Sequence, residues 1–172
     1  LTYEQKELLT TISSSMSHMN RLVGDVFDLS KIEYGEFKIE NSSFDLEELI
    51  KNIERVYLEK FILKNIEFQI VISNKVPTKL IGDYNRVVQI ITNLVDNAYK
   101  YTNEGKVVFE ISLDYRRAKN VRLRFSVNDT GIGFEKTSNN QFESFKKLHN
   151  QDIEGSGLGL SIVNNLIELM NG

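Results

Sequence analysis

The chain has 172 residues, of which 41% are hydrophobic, a net charge of -3 and no cysteine. That length suits one large domain, or one domain with an appendage, and that composition can bury a core. The missing cysteine excludes a disulfide scaffold and Cys-based zinc sites. The acidic balance gives no electrostatic basis for binding nucleic acid, which favours basic surfaces. No apolar run approaches the roughly 20 residues that span a bilayer, and no signal-peptide pattern is visible.

The first 35 residues read as one long helix. Thr2 and Gln5 have capping-box spacing. Leu9, Ile12, Met16, Met19, Val23 and Val26 recur at alternating intervals of three and four, a heptad seam that wants a partner helix. Gly35 is a stop signal. At 1.5 Å per residue such a helix is roughly 45–50 Å long. The competing reading, a core helix of a globular fold, conflicts with so narrow a stripe flanked by Ser and charge. From Ser43 the pattern changes. Asp45 and Glu48 cap a helix over about Leu46 to Leu63. Ile66 to Ile72 alternates as a strand does. Pro77 sits in a connection before Lys79 to Ile81, and Asp83 caps a helix to about Tyr101. Lys106 to Tyr115 and Val121 to Asn128 read as a β-hairpin around the polar loop 116–120. A last helix runs from about Leu158 to Met170. Helices interspersed with an antiparallel-leaning sheet predict an α+β sandwich.

Three separated motifs carry chemistry. In Asn93-Leu-Val-Asp-Asn97-Ala-Tyr-Lys100-Tyr101, the residues Asn93 and Asn97 are i and i+4 on one helix face. Uncharged amides facing a pocket suit Mg²⁺, which keeps several waters and takes few protein ligands. Lys100 supplies a point charge for phosphate, and Tyr101 can pack beside a nucleotide. In Asp129-Thr-Gly131-Ile-Gly133, a carboxylate at a strand end can accept from an exocyclic amino group, as adenine N6 offers. Guanine presents an acceptor there, and two facing acceptors cost about 1–3 kcal/mol, which predicts ATP over GTP. Gly131 and Gly133 allow close backbone approach to a base; a plain turn is the alternative. In Gly155-Ser-Gly157-Leu158-Gly159-Leu160, glycine-rich backbone at a helix N-terminus offers free N–H groups to phosphate.

In this order the motifs resemble the N, G1 and G2 boxes of the histidine kinase catalytic domain, and Phe142-Glu-Ser-Phe145 resembles its F box. The likeness extends through Asp25-Val-Phe-Asp-Leu-Ser-Lys31-Ile-Glu33-Tyr-Gly35 to Phe44-Asp45-Leu46. That stretch looks like the second dimerisation helix and its junction, in a form common among hybrid-type kinases. The resemblance implies residues 1–35 as that helix, 36–45 as junction and 46–172 as an ATP-binding domain of the Bergerat (GHKL) fold. That domain is a two-layer α/β sandwich whose C-terminal strands are expected to be missing.

It also implies ATP and Mg²⁺, with Asn97 as the metal ligand and Asn93, Asn97 and Lys100 as the catalytic set. The nucleotide would be held by these residues with Tyr101, Asp129, Gly131, Gly133, Phe142, Phe145, Gly155, Gly157, Leu158, Gly159 and Leu160. Residues 146–154 resemble the lid over ATP, where His149 is a solvated residue. The implied activity is transfer of the γ-phosphoryl of ATP to a histidine, then relay to a receiver aspartate. Implied partners are a second copy through the N-terminal helix, the helix bearing the acceptor histidine, and a response-regulator receiver domain, with no nucleic acid. A cytoplasmic domain of a membrane-anchored parent is expected.

His18 is not read as the acceptor. The residues after it, Met19 and Leu22-Val23, lack the acid and proline of the family's acceptor motif, so the acceptor is expected upstream of Leu1. Asn93 separates this chain from the gyrase, HSP90 and MutL-type ATPases, which resemble one another in placing Glu there to activate water. An amide takes no proton at neutral pH. Two other readings stand beside the kinase: a pseudokinase-like ATP-sensing module, and an ATPase of the gyrase type.

Overall fold

The computed structural model describes residues 1–133 and 158–172. The first helix, α1, spans Tyr3–Glu33 and opens on the expected capping box, with Thr2 and Gln5 bonding each other's backbone. It closes through Tyr34 and Gly35. Gly35 is left-handed at φ +68°, its N–H donates to the Ile32 carbonyl, and the Glu36 N–H reaches back to the Lys31 carbonyl. Those two bonds satisfy carbonyls that the helix end would otherwise orphan.

Next come β1 (Ser42–Asp45), α2 (Leu46–Leu63), β2 (Ile66–Ile72), β3 (Lys79–Gly82), α3 (Tyr84–Tyr101), β4 (Gly105–Arg117), β5 (Asn120–Asp129) and α4 (Leu158–Leu169). The sequence boundaries agree closely because caps mark them: Asp45 accepts from the Glu47 and Glu48 N–H groups, and Asp83 from that of Arg86. Strand β1 was not foreseen. It is four residues long and pairs antiparallel with β3, a contact that no local pattern announces.

Sheet order is β2-β4-β5, parallel between β2 and β4 and antiparallel between β4 and β5. The sheet is therefore mixed rather than simply antiparallel. The hairpin is also tighter than expected: pairing continues to Arg117 and Asn120, leaving Ala118, at φ +51°, and Lys119 to turn. The register shifts between Leu113 and Tyr115, as at a β-bulge.

Alternation gives the sheet one apolar face. Val107, Phe109 and Ile111 of β4 are fully buried against Leu49, Ile53, Tyr57 and Phe61 of α2 and Ile91, Val95 and Ala98 of α3. Phe61 stacks on Phe68 with ring centroids 4.5 Å apart and meets Tyr99 edge-on at 5.2 Å. A second cluster joins Ile90 of α3 to Ile162, Val163 and Leu166 of α4, with Leu29 and Phe37 packed against it.

Among the described residues, it is the C-terminal part of α1 that meets this body. Arg21 donates to Asp96, and Arg86 donates to Asp28 at 2.6 Å, as does Gln89 at 3.0 Å. Asp25 lies between them, 5% exposed. The seam from Leu9 to Val26 faces away, each of its residues at least half exposed. No helix among the described residues is long and apolar enough to cross a membrane.

Candidate nucleotide site

The candidate site is organised by the faces of α3. Ile91, Val95 and Ala98 turn to the main core, and Ile90 and Leu94 to the second cluster. Asn93, Asn97, Lys100 and Tyr101 occupy what remains and are all half-buried. The helix is held at both ends and from both sides. The carboxylate of Asp83 caps its start and accepts the Glu40 N–H at 2.9 Å, tying in the junction from α1. At the far end the Lys64 ammonium donates to the Tyr99 and Thr102 carbonyls at 2.7 and 2.6 Å. A cation is favoured there by the negative end of the helix dipole. Between the ends, Asp96 accepts from Tyr57 of α2 at 2.8 Å and from Arg21 of α1. Burial and the Asp96 carboxylate both push the Tyr57 hydroxyl far above its ordinary pKa, so it stays a proton donor.

Asp129 is placed by the strand period. Leu123, Phe125 and Val127 of β5 point to the helix-covered face, and Asp129, opposite Val107, is the next residue on that face. It lies at the open end of the sandwich and is exposed. Its Oδ1 accepts the Gly131 N–H at 2.9 Å, which orients the carboxylate. The turn abuts the end of α3: the Ile132 N–H donates to the Tyr101 carbonyl at 3.2 Å. A Cβ on Gly131 would stand 2.4 Å from that carbonyl oxygen, so a glycine is required. Gly133 is left-handed at φ +66°.

The N-terminus of α4 comes to the same place, since a Cβ on Gly159 would stand 3.0 Å from Asn93 Oδ1. Leu160 is half-buried. Lys100 Nζ lies 5.1 Å from the Tyr101 ring centroid. The structure thus brings together Asn93, Tyr101, Asp129, Gly131 and Gly159, with Asn97 and Lys100 on the intervening turns of α3. Phe142, Phe145, residues 146–154, Gly155 and Gly157 lie outside the described residues, as does the Leu158 side chain. Sequence reasoning missed Asp96, Lys64 and Thr130 as supports. Asp96 and Thr130 sit inside the motifs themselves; Lys64 carries no local signal.

The donor set fits a magnesium nucleotide better than a bare metal ion. Among the described residues no group of three or more His, Cys, Asp or Glu could hold a cation. The Asn93 and Asn97 amides contribute no charge, so a metal ion held at Asn97 would come with the phosphates of a nucleotide.

Residues 82–172 match the family described as histidine kinase-, DNA gyrase B-, and HSP90-like ATPase. The chain is 35% identical over 178 residues to the hybrid signal transduction protein dokA of Dictyostelium discoideum, covering 100% of this chain and 11% of that protein. The curated relatives it matches are much longer: the chain spans between 9% and 26% of their length. Full-length ShkA, crystallised with AMPPNP, superposes with a TM-score of 0.72 at 29% identity, covering 99% of this chain and 35% of ShkA. Histidine kinase ThkA in complex with the response regulator TrrA gives 0.64 at 26% identity, covering 100% of this chain and 46% of that one. With its helix-backed sheet and with more than half its length inside the matched region, the chain belongs to the histidine kinase-, DNA gyrase B-, and HSP90-like ATPase family.

Proposed function

We propose that this chain is the ATP-binding catalytic portion of a hybrid-type sensor histidine kinase. Residues 1–35 serve as its second dimerisation helix and 46–172 as its catalytic domain. The observation that carries the reading is that α3 meets the Asp129 turn at its Tyr101 end and the α4 N-terminus at Asn93, with an amide and not a carboxylate at position 93. Magnesium ATP, when bound, supplies the γ-phosphoryl group and leaves as ADP once the acceptor nitrogen has bonded to phosphorus. The chain's own part is placement and charge neutralisation, on which phosphoryl transfer chiefly relies. Asp129, with Oδ1 engaged by Gly131, presents its carboxylate to the adenine amino group. Asn97 holds the metal, Lys100 meets phosphate charge, and the α4 N-terminus by Asn93 offers N–H groups to phosphate. Asn93 cannot take a proton from water, which favours transfer to a separate nucleophile over hydrolysis.

The names of the relatives support the same reading. One is a hybrid signal transduction protein, one was crystallised with an ATP analogue, and one is bound to a response regulator. The acceptor is then a histidine on another helix and the onward partner a receiver domain.

Calorimetric titration with ATP and GTP, with and without Mg²⁺, tests the pocket. Mg-dependent, adenine-selective binding is expected. Labelled phosphate should then pass from γ-labelled ATP to a dimerisation hairpin that carries a histidine. Hydrolysis without transfer, abolished by Asn93→Ala, would replace this reading with the ATPase one.

A further inference from the structure

Thr130 stands in the turn between Asp129 and Gly131, and the proposed function gives it no contact with nucleotide. Its hydroxyl, on an exposed residue, is nevertheless bonded to backbone alone. Oγ1 accepts the Lys106 N–H at 3.0 Å, and its own proton faces the carbonyls of Glu104 at 3.0 Å and Lys106 at 3.3 Å. The Thr130 N–H donates to the Lys106 carbonyl at 3.1 Å, and two residues later the Ile132 N–H donates to the Tyr101 carbonyl at 3.2 Å. The turn is therefore stitched along its length to 101–106, the segment by which α3 leaves the pocket and β4 begins.

Gly105 belongs to the same device. It is left-handed at φ +94°, and a Cβ there would stand 2.2 Å from Thr130 Oγ1, too close for both to remain. The glycine keeps open the space that the hydroxyl fills. On the other side of Thr130, the Gly131 N–H takes Asp129 Oδ1. Among the described residues Oδ2 is then the oxygen left to face a base.

We infer that Thr130 is a positioning residue for base recognition. Its hydroxyl, in the space kept by Gly105, locks the Asp129 turn to residues 104–106 where β4 begins, just past the Tyr101 carbonyl that takes the Ile132 N–H. The carboxylate that reads the base and the Lys100–Tyr101 end of the phosphate-binding helix are thereby held as one unit. The inference rests on the ATP-binding reading of this site. Without the hydroxyl, the Gly131 N–H still holds Asp129 Oδ1 and the backbone bonds from Thr130 and Ile132 remain, but the Lys106 N–H loses its partner and the turn that carries the carboxylate loosens against β4. Discrimination between an amino group and a carbonyl on the base then suffers along with affinity.

The test is calorimetry on the full chain with Mg-ATP, and with Mg-GTP by displacement, for the wild type, Asp129→Asn, Thr130→Ser, Thr130→Val and Gly105→Ala, each also melted thermally. Thr130→Ser keeps the hydroxyl and should bind within about twofold of wild type, whereas Thr130→Val, of the same shape, should lose roughly fivefold in ATP affinity, the equivalent of one hydrogen bond. The ATP-over-GTP ratio should narrow with it, and Gly105→Ala should reproduce both changes by evicting the hydroxyl. Wild-type affinity and selectivity in Thr130→Val would overturn the inference. So would an equal loss in Thr130→Ser and Thr130→Val with the nucleotide ratio unchanged, which marks a merely structural role. If Thr130→Val does not fold, Gly105→Ala against Thr130→Ser decides by the same two criteria. A wild type that binds no ATP, or an Asp129→Asn variant that binds like wild type, overturns the site reading and the inference with it. A defective Asp129→Asn beside an unaffected Thr130→Val overturns the inference alone.

Discussion

The two apolar clusters among the described residues are built from different parts of the chain. The larger gathers α2, α3 and the three-stranded sheet from one continuous stretch between Phe44 and Val127. The smaller takes Leu29 and Phe37 from one end of the chain and Ile162, Val163, Leu166 and Met170 from the other. Helix α3 belongs to both, so the helix that carries the pocket's amide face is clamped on one side by its sequence neighbours and on the other by distant segments. The polar contacts repeat the division, since Asp96 accepts from Tyr57 of α2 and from Arg21 of α1. A nucleotide site on such a helix has its fold supplied locally and its attitude toward α1 supplied from afar.

Removing weight from the larger cluster should cost most. Phe61→Ala empties a fully buried site between Phe68 and Tyr99 and should lower global stability by about 3–5 kcal/mol in denaturant titration. A loss below about 1 kcal/mol would mean that the main core does not depend on this ring. Leu166→Ala, in the smaller cluster, should cost about 2–3 kcal/mol. Amide exchange should quicken first in α4 and the end of α1, while β4 and β5 keep their protection. Uniform loss of protection would erase the distinction between the clusters.

Polar contacts across α1 and α3 should matter less. Asp28→Ala removes the acceptor that Arg86 and Gln89 share, leaving their bond to each other, and should cost about 1–3 kcal/mol. The same change at Asp114, whose partner Arg124 is exposed, should cost under about 1 kcal/mol. Asp25 sharpens the comparison through pH. Burial, with some help from Asp28, holds its carboxyl above the ordinary aspartate range, against the opposing pull of Arg21 and a hydrogen bond from Gln89. The folded state thus binds this proton more tightly than the unfolded one does. The stability it contributes is complete below the ordinary aspartate pKa and is lost as pH rises through the raised value. Asp25→Asn should flatten that decline in pH-dependent melting, and an unchanged profile would remove Asp25 from the account.

The smallest intrachain effect is expected on the exposed seam. Met16→Ser and Val23→Ser should shift stability by less than about 0.5 kcal/mol. Sedimentation should nonetheless show weaker self-association, as the heptad reading requires.

Much of this was legible because it is local. Caps at Thr2, Asp45 and Asp83, the glycine at 35 and the alternation in β2, β4 and β5 mark elements from residues a few positions apart. The motifs proposed to hold nucleotide are legible for the same reason, as backbone that approaches a ligand would need glycine and amide ligands would need helical spacing. Strand β1 was not legible, being four residues whose partner, β3, lies more than thirty positions on. Nor were the supports of the site, since Thr130 meets Glu104 and Lys106, and Lys64 meets the end of α3, across separations that leave no periodic trace.

By itself the sequence determined the order and type of the elements other than β1 and their apolar faces, because hydrophobic period, capping and glycine placement act over one or two turns of chain. Only the tertiary structure decided that β2 runs parallel to β4, that Asp83 and Asp96 bind α1 and its junction to α3, and that Gly105 makes room for the Thr130 hydroxyl. Those are contacts between segments brought together by burial, and their partners are chosen by shape and unsatisfied hydrogen bonds rather than by neighbours in sequence.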